Sequence, residues 1–297
     1  MKRREFIKLG GTIGAMSCFP ISCMSFLPSS KFKLGYQLFS IRDEMSKDPL
    51  STLKVLKEMG YEDFEHYGFN AEDKTYYGYK AAEFKARLDD LNLTISSGHY
   101  PFSDFLYKSE DELKRFVDRC IEGAHTMKSS YITWPWLAPE QRTLDGFKQT
   151  TAKLNLVGSL VNEAGLGFAY HNHGFDFMEF EDTTAYEIIL NETDPQLVKL
   201  QLDMYWVMHS SKLNPAEWIA KQPERYTMWH IKDMHKVSRD YTELGSGSID
   251  YTQLLSKIPT SGLEFYYIEQ GGNYTENSVK SAASSINYFK NNLQKYL

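Results

Sequence analysis

From residue 33 onward, short apolar runs alternate with longer stretches whose apolar positions recur at helical spacing. Residues 33–39 read as a first strand, and 49–58 as a helix ending at Gly60, where a C-terminal glycine belongs. The strand at 62–66 precedes a helix at 81–90. The strand at 93–99 precedes a charged helix at 111–127, and the strand at 131–134 a helix at 144–164 that stops at Gly165. The second half repeats the alternation. Strands at 167–171, 198–203, 226–232 and 265–269 are followed by helices at 185–191, 215–221, 251–257 and 278–296. Apolar strands alternating with amphipathic helices mean parallel strands joined by crossovers. Eight such units in about 265 residues is the count of a closed barrel. The predicted fold class is therefore α/β, a single-domain (β/α)8 TIM barrel over residues 31–297.

Composition narrows what such a barrel does. Of 297 residues, 42% are hydrophobic and 24% charged, which excludes a disordered or collagen-like chain. Aromatic residues reach 14%, enough to fill a core and still line a cleft with rings, as sugar-binding sites often do. The formal charge is −6 with no basic stripe, so no nucleic acid is expected as partner.

The N-terminus has a separate character. Residues 2–8 read Lys-Arg-Arg-Glu-Phe-Ile-Lys, followed by a mild apolar run to about Phe19. A basic start and a short apolar run make an export signal rather than a membrane span, which needs ~20 apolar residues. Arg3-Arg4-x-Phe-x-Lys resembles the twin-arginine type. Residues 1–30 are thus expected to be an export signal and hinge, and the protein to be periplasmic or a membrane-anchored lipoprotein. Cys18 and Cys23 each follow a serine, and either could carry a lipid anchor. The remaining cysteine, Cys120, is expected in the core. These three give no disulfide framework and no thiolate metal site.

A barrel of this kind carries its chemistry at the C-terminal ends of its strands. There the sequence places Gln37 and Ser40, Glu65-His66, His99, Trp134-Pro135-Trp136, and His171-Asn172-His173. Asp203, His230 with Lys232-Asp233, and Glu269-Gln270 follow. Six of the eight histidines, at 66, 99, 171, 173, 209 and 230, fall at or past a strand end. Any one of these residues could cap a helix or satisfy a turn, but together they converge from strands far apart in sequence. Imidazole and carboxylate ligands without thiolate suit Mn, Co, Zn, Fe or Mg. Lys232 could neutralise an oxyanion or pair with Asp233. Gly245-Ser-Gly-Ser248 could bind phosphate through backbone N–H groups, although a tight turn into the next helix is the preferred reading. Trp134, Trp136, Tyr205 and Trp206 could stack on sugar faces. Tyr76, Tyr77 and Tyr79 could close over the site, meet a neighbouring subunit of a homo-oligomer, or cover the barrel rim.

Several strings carry a family resemblance. Leu34-Gly-Tyr-Gln-Leu-Phe-Ser-Ile-Arg-Asp-Glu44 is similar to the opening of the xylose isomerase-like TIM-barrel group, the sugar phosphate isomerase/epimerases. Tyr170-His-Asn-His173, Gln201-Leu-Asp-Met-Tyr-Trp206, His230-Ile-Lys-Asp233, Gly245-Ser-Gly-Ser-Ile-Asp250 and Ile268-Glu-Gln270 resemble its later landmarks. The resemblance implies one divalent metal ion held by Asp203, His230 and Glu269. The group's fourth ligand is a glutamate at the end of strand five, where this chain has His171.

The implied chemistry is proton abstraction next to a sugar carbonyl while the metal steadies an enediolate. Two carboxylates usually trade that proton. Glu269 can serve as one, and its partner would be Glu65, His99 or His173, since histidine does acid–base work near neutral pH. Gln37, Trp136, Lys232 and Tyr205 are the expected substrate contacts. An exported enzyme would meet free or glycosidic sugars, so the substrate is expected to be a non-phosphorylated small carbohydrate. A 3-keto-glycoside lyase or hydrolase, working by metal-assisted β-elimination, is the alternative, and a non-catalytic sugar-binding protein the second. A nuclease of the abasic-site repair type would need more ligands and a basic DNA face.

Overall fold

The computed structural model describes residues 32–256 and 260–297. The expected leader, with Cys18 and Cys23, lies outside the described residues, as does the end of the helix expected at 251–257. Eight strands form the central sheet: β1 Gly35–Gln37, β2 Asp63–His66, β3 Thr94–Gly98, β4 Tyr131–Trp134, β5 Gly167–His171, β6 Lys199–Asp203, β7 Tyr226–Ile231 and β8 Phe265–Ile268. They pair in the order β3-β2-β1-β8-β7-β6-β5-β4, every pair parallel. The two ends meet through a bridge between His99 and Thr133. Ser130 N donates to Ser96 O at 2.8 Å, and Tyr100 N to Thr133 O at 3.1 Å. The ring closes, giving the (β/α)8 barrel.

Helices α1 Pro49–Met59, α2 Ala81–Asp90, α3 Glu110–Met127, α4 Leu144–Glu163, α5 Ala185–Glu192, α6 Pro215–Lys221, α7 Tyr251–Leu255 and α8 Ser278–Tyr288 surround it. Local chemistry sets many of their starts. Asp48, Ser109, Thr143, Thr184, Asn214 and Asn277 each accept a first-turn N–H through the side chain, an interaction worth about 1 kcal/mol. Gly60, at φ 104°, ends α1 in the left-handed region that favours glycine. The main core lies between strands and helices. A smaller cluster of Tyr131, Ala169, Met228 and Tyr267 packs separately from it.

Three local features depart from the pattern reading. β1 stops at Gln37 because its side chain accepts the Phe39 N–H at 3.0 Å and starts a tight turn over Leu38–Ile41. A three-stranded antiparallel sheet, Phe69–Asn70, Thr75–Tyr76 and Tyr79–Lys80, lies between β2 and α2. It packs Tyr76, Tyr77 and Tyr79 against Phe84 of α2. Beyond α8 the chain stays helical but widens over Phe289–Leu293 and tightens over Gln294–Tyr296. Cys120 is buried in α3 as expected.

Candidate active site

Glu65, near the end of β2, is wholly buried. Gln37 Nε2 lies 2.6 Å from its carboxylate, Ser97 Oγ 2.7 Å, Gln201 Nε2 2.7 Å, His230 Nε2 2.6 Å and His99 Nε2 3.0 Å. The two-residue strand period brings them together, since Ser97 shares a face with His99 and Gln201 with Asp203. Burial opposes the Glu65 charge, but His99 and His230 outweigh it and hold its carboxyl well below the usual range.

Gln201 turns an acceptor to His99. Its Nε2 donates to Glu65 Oε1, so its Oε1 faces His99 Nε2 at 2.8 Å. Glu65 Oε2 stands 3.0 Å from the same nitrogen. Facing only acceptors, His99 Nε2 carries a proton.

His230 uses both ring nitrogens, Nε2 on Glu65 at 2.6 Å and Nδ1 on Glu269 Oε2 at 2.7 Å. Burial works against its charge, but the two carboxylates outweigh burial and raise its pKa to about 10. Lys232 Nζ bridges a second carboxylate pair, 3.3 Å from Asp203 Oδ2 and 3.3 Å from Glu269 Oε1. These carboxylates keep the ammonium charged despite burial. Burial likewise opposes the Glu269 charge, but Lys232 and His230 hold its carboxyl far below the usual range. Burial pushes the Asp203 carboxyl up, with Lys232 opposing. His171 Nε2 lies 4.0 Å from Asp203 Oδ2, and its buried Nδ1 has no partner among the described residues. Burial, with His230 beside it, keeps that ring neutral.

Above these groups opens a cavity of about 810 Å³. Gln37, His99, His171, Lys232 and Glu269 form its floor. Eight aromatic rings line its wall: Phe39 after β1, Tyr67 and Phe69 after β2, Tyr100 after β3, Trp136 after β4, Phe175 after β5, Trp206 after β6 and Tyr241 after β7. Phe69 and Tyr100 are buried, and the other six are partly or largely exposed.

Of the residues expected at the substrate, Gln37, Trp136 and Lys232 line this cavity, and Tyr205 does not. Tyr205 is 2% exposed and donates its hydroxyl to Arg239 O at 2.9 Å. Neighbouring helix residues point about 100° apart, and it is Trp206 that faces the cavity. Glu65 lies beneath the floor, behind His99. Trp134 is buried and braces the loop by donating Nε1–H to Trp136 O at 2.9 Å. His173 stands in the wall with its ring parallel to Phe175, centroids 5.4 Å apart. His66 is packed among Tyr76 and Tyr100, and His209 is an exposed residue of the helix after β6.

Lys232 and Asp233 do not pair. The Asp233 carboxylate turns to the following loop and accepts from the N–H groups of Gly245, Gly247 and Ile249 at 2.9, 3.0 and 3.2 Å. It fills the place that the loop would offer a phosphate, and the tight turn is what forms. Pattern reading gives no role to Gln201, Ser97, Arg142 or Tyr241. The first two are signalled only by the strand period. Arg142 and Tyr241 reach the cavity from irregular segments that carry no such signal.

Ligand atoms of Asp203, His230 and Glu269 lie within 4.8 Å of one another. Mixed carboxylate and imidazole donors suit a divalent ion. His230 also has the outer carboxylate that metal-bound imidazoles usually take, since Nε2 faces Glu65 while Nδ1 faces Glu269. The residues fit such an ion, with the Lys232 ammonium now between Asp203 and Glu269.

Fold and placement define a (β/α)8 barrel with acidic, imidazole and lysine groups gathered at one mouth. The chain belongs to the xylose isomerase-like TIM barrel family, whose model matches residues 53–291. No curated protein matches it. A solved sugar phosphate isomerase/epimerase from Parabacteroides distasonis ATCC 8503 is 24% identical, with a TM-score of 0.78 over 93% of this chain and 99% of that one. The 3-keto-D-glucoside 4-epimerase of E. coli is 18% identical, with a TM-score of 0.65 over 88% and 99%. The IolI protein with a binding zinc atom is 16% identical, with a TM-score of 0.69 over 90% and 99%. At these identities the likeness is one of fold.

Proposed function

We propose that the protein is a divalent-metal-dependent enzyme that removes a proton from the carbon next to a sugar carbonyl, as a sugar isomerase or epimerase does, on a sugar without phosphate. The observation that carries this reading is His99, its Nε2 turned to Gln201 and Glu65, on a cavity floor that also holds Glu269 of the Asp203–His230–Glu269 group. Asp203, His230 and Glu269 would hold the ion, with His171 as fourth ligand. When bound, the ion supplies Lewis-acid stabilisation of the charge developing on the carbonyl oxygen.

His99 Nδ1 takes the proton, and Glu65 behind Nε2–H stabilises the imidazolium that forms, as a buried carboxylate does in a catalytic triad. This moves Glu65 from acid–base partner to positioning residue. Glu269, held ionised by Lys232 and His230, serves the ion rather than the proton, which the His99 imidazolium or His173 returns. Gln37 contacts the sugar, Trp136 the part of the substrate that extends from it, and Lys232 brings a positive charge to the sugar oxygens. The occupied Gly245–Ser248 loop supports a substrate without phosphate, and the basic N-terminus, read as an export leader, points the same way. The 3-keto-D-glucoside 4-epimerase among the structural relatives supports a sugar carbonyl as the reacting group, and the zinc-binding relative supports a metal.

The test is proton exchange. The manganese-loaded protein is incubated in D2O with free aldoses, ketoses and 3-keto-glucosides, and the sugars are followed by NMR. Deuterium entering next to the carbonyl in the wild type, and not in His99→Ala, is expected. Exchange with none of these sugars, or exchange that survives His99→Ala, would contradict the reading. Elimination from a 3-keto-glycoside begins with the same abstraction, and the 810 Å³ cavity, larger than a single pyranose fills, favours it as the second reading. Release of the aglycone in the same tubes distinguishes the two.

A further inference from the structure

The cavity has two tiers of different chemistry. Its floor is charged and hydrogen-bonding, whereas its wall is mostly a collar of aromatic rings, six of them partly exposed, with Arg142, His173 and two serines between them. A free monosaccharide carries hydroxyl groups on every side and would set several of them against the faces of these rings. At about 810 Å³ the space lies in the upper part of the ~300–1,000 Å³ range of pockets that enclose drug-sized ligands.

Two of the rings stand unusually open. Phe39 is 40% exposed and Trp136 42%, although both belong to a wall that could have folded them inward. Both are held by neighbouring side chains. The Arg142 guanidinium lies 4.4 Å from the Trp136 ring centroid and 4.1 Å from that of Phe175. Arg42 lies 4.3 Å from the Phe39 centroid, and Tyr67 meets that ring edge-on at 5.3 Å. Rings held in place before binding lose little freedom when a ligand covers them, which is how a prepared apolar surface gains affinity.

We infer that the substrate is an aryl glycoside whose sugar carries the reacting carbonyl as a ring ketone, with the sugar on the polar floor and the aromatic aglycone in the collar against Phe39 and Trp136. The inference rests on the reading of the floor as a sugar site. An aryl ring satisfies the collar in a way that a second sugar does not, because it brings no further hydroxyl groups and buries flat apolar surface against fixed rings.

Calorimetric titration of the metal-loaded protein tests it. The probes are phenyl and methyl glycosides of glucose, galactose and xylose in both anomers, with cellobiose and phenol beside them. The best phenyl glycoside is expected to bind at least about tenfold more tightly than its methyl counterpart. That advantage should vanish in Trp136→Ala and in Phe39→Ala, while the methyl glycoside still binds, which also shows that both variants are folded. Equal affinity for phenyl and methyl glycosides, preference for cellobiose, or an advantage that both variants keep would overturn the collar and leave the floor intact. Phenol binding as tightly as the phenyl glycosides, or no glycoside binding at all, would remove the sugar floor and the collar with it.

Discussion

His230 Nε2 lies 2.6 Å from Glu65 Oε2, and neither side chain has any exposed surface. The folded pKa of His230, about 10, stands above its ordinary 6.5, so its stabilising contribution is complete below about pH 6.5 and is lost as pH rises through 10. Glu65 is shifted the other way, so its contribution is present above its ordinary 4.5 and is lost as pH falls toward its folded value. The unfolding temperature of the protein in chelator is therefore expected to decline steadily between about pH 6.5 and 10. Glu65→Gln should destabilise by about 3–5 kcal/mol near neutrality, since it breaks a buried pair, and should flatten that alkaline decline. Calorimetric melts across the range check this, and a wild-type curve flat from pH 6.5 to 10 would contradict it.

Gln201 acts through His99. Gln201→Leu removes the amide that faces His99 Nε2 and leaves Glu65 Oε1 without one of its donors. Loss of such an outer partner typically costs about 10–100-fold in activity, here expected in kcat with KM little changed. The 15N resonance of His99 Nε2 should shift in the variant, where Glu65 Oε2 is the acceptor left to it. An unshifted resonance with unchanged kcat would show that Gln201 does not act on His99.

Lys232 and the proposed divalent ion would compete for the same carboxylates. With its ammonium 3.3 Å from both Asp203 and Glu269, Lys232→Met should raise the affinity for Mn2+ by at least about tenfold, or about 1.4 kcal/mol. The metal-free variant should melt lower than wild type, because both carboxylates lose their cation. Titration calorimetry with Mn2+ checks the first and thermal melts the second. Weaker Mn2+ binding in the variant would mean that Lys232 supports the ion.

Gly98 is required by its neighbour. A Cβ there would stand 1.8 Å from His66 Nε2, and the His66 ring is wedged edge-on against Tyr76 and Tyr100 at 4.8 and 5.0 Å. Gly98→Ala is expected to cost about 1–3 kcal/mol, or about 2–4 °C in Tm per kcal/mol for a domain near this size. Adding His66→Ala opens the space, so the double variant should lose less than the two single losses combined. Simple additivity in the melts would contradict this account of the glycine.

The eight strands are legible in sequence because parallel barrel strands are continuously buried and their crossover helices carry ordinary caps, as at Asp48 and Ser109. Polar residues at strand ends are legible for the same reason: Glu65, His99, His171, Asp203 and His230 interrupt apolar runs where the core pattern has no use for them. Their partners are harder to see. Gln201 and Ser97 look like unremarkable polar residues inside a strand, and only closure of the ring brings them to Glu65 across 136 and 32 residues of sequence. Side-chain direction beyond a strand end is not legible either. Tyr205 and Trp206 are adjacent and chemically alike, and only the orientation of the helix Met204–Ser210 decides which one faces the cavity.

The central claim is that Asp203, His230 and Glu269 form a metal site. Elemental analysis of the purified chain, after incubation with Mn, Co, Zn, Fe or Mg and removal of free ion, tests it most directly when wild type is run beside Asp203→Ala and His230→Ala. The account predicts about one divalent ion per chain in the wild type and loss of that ion in both variants. A wild-type protein that retains none of these ions, or variants that retain as much as wild type, would contradict it.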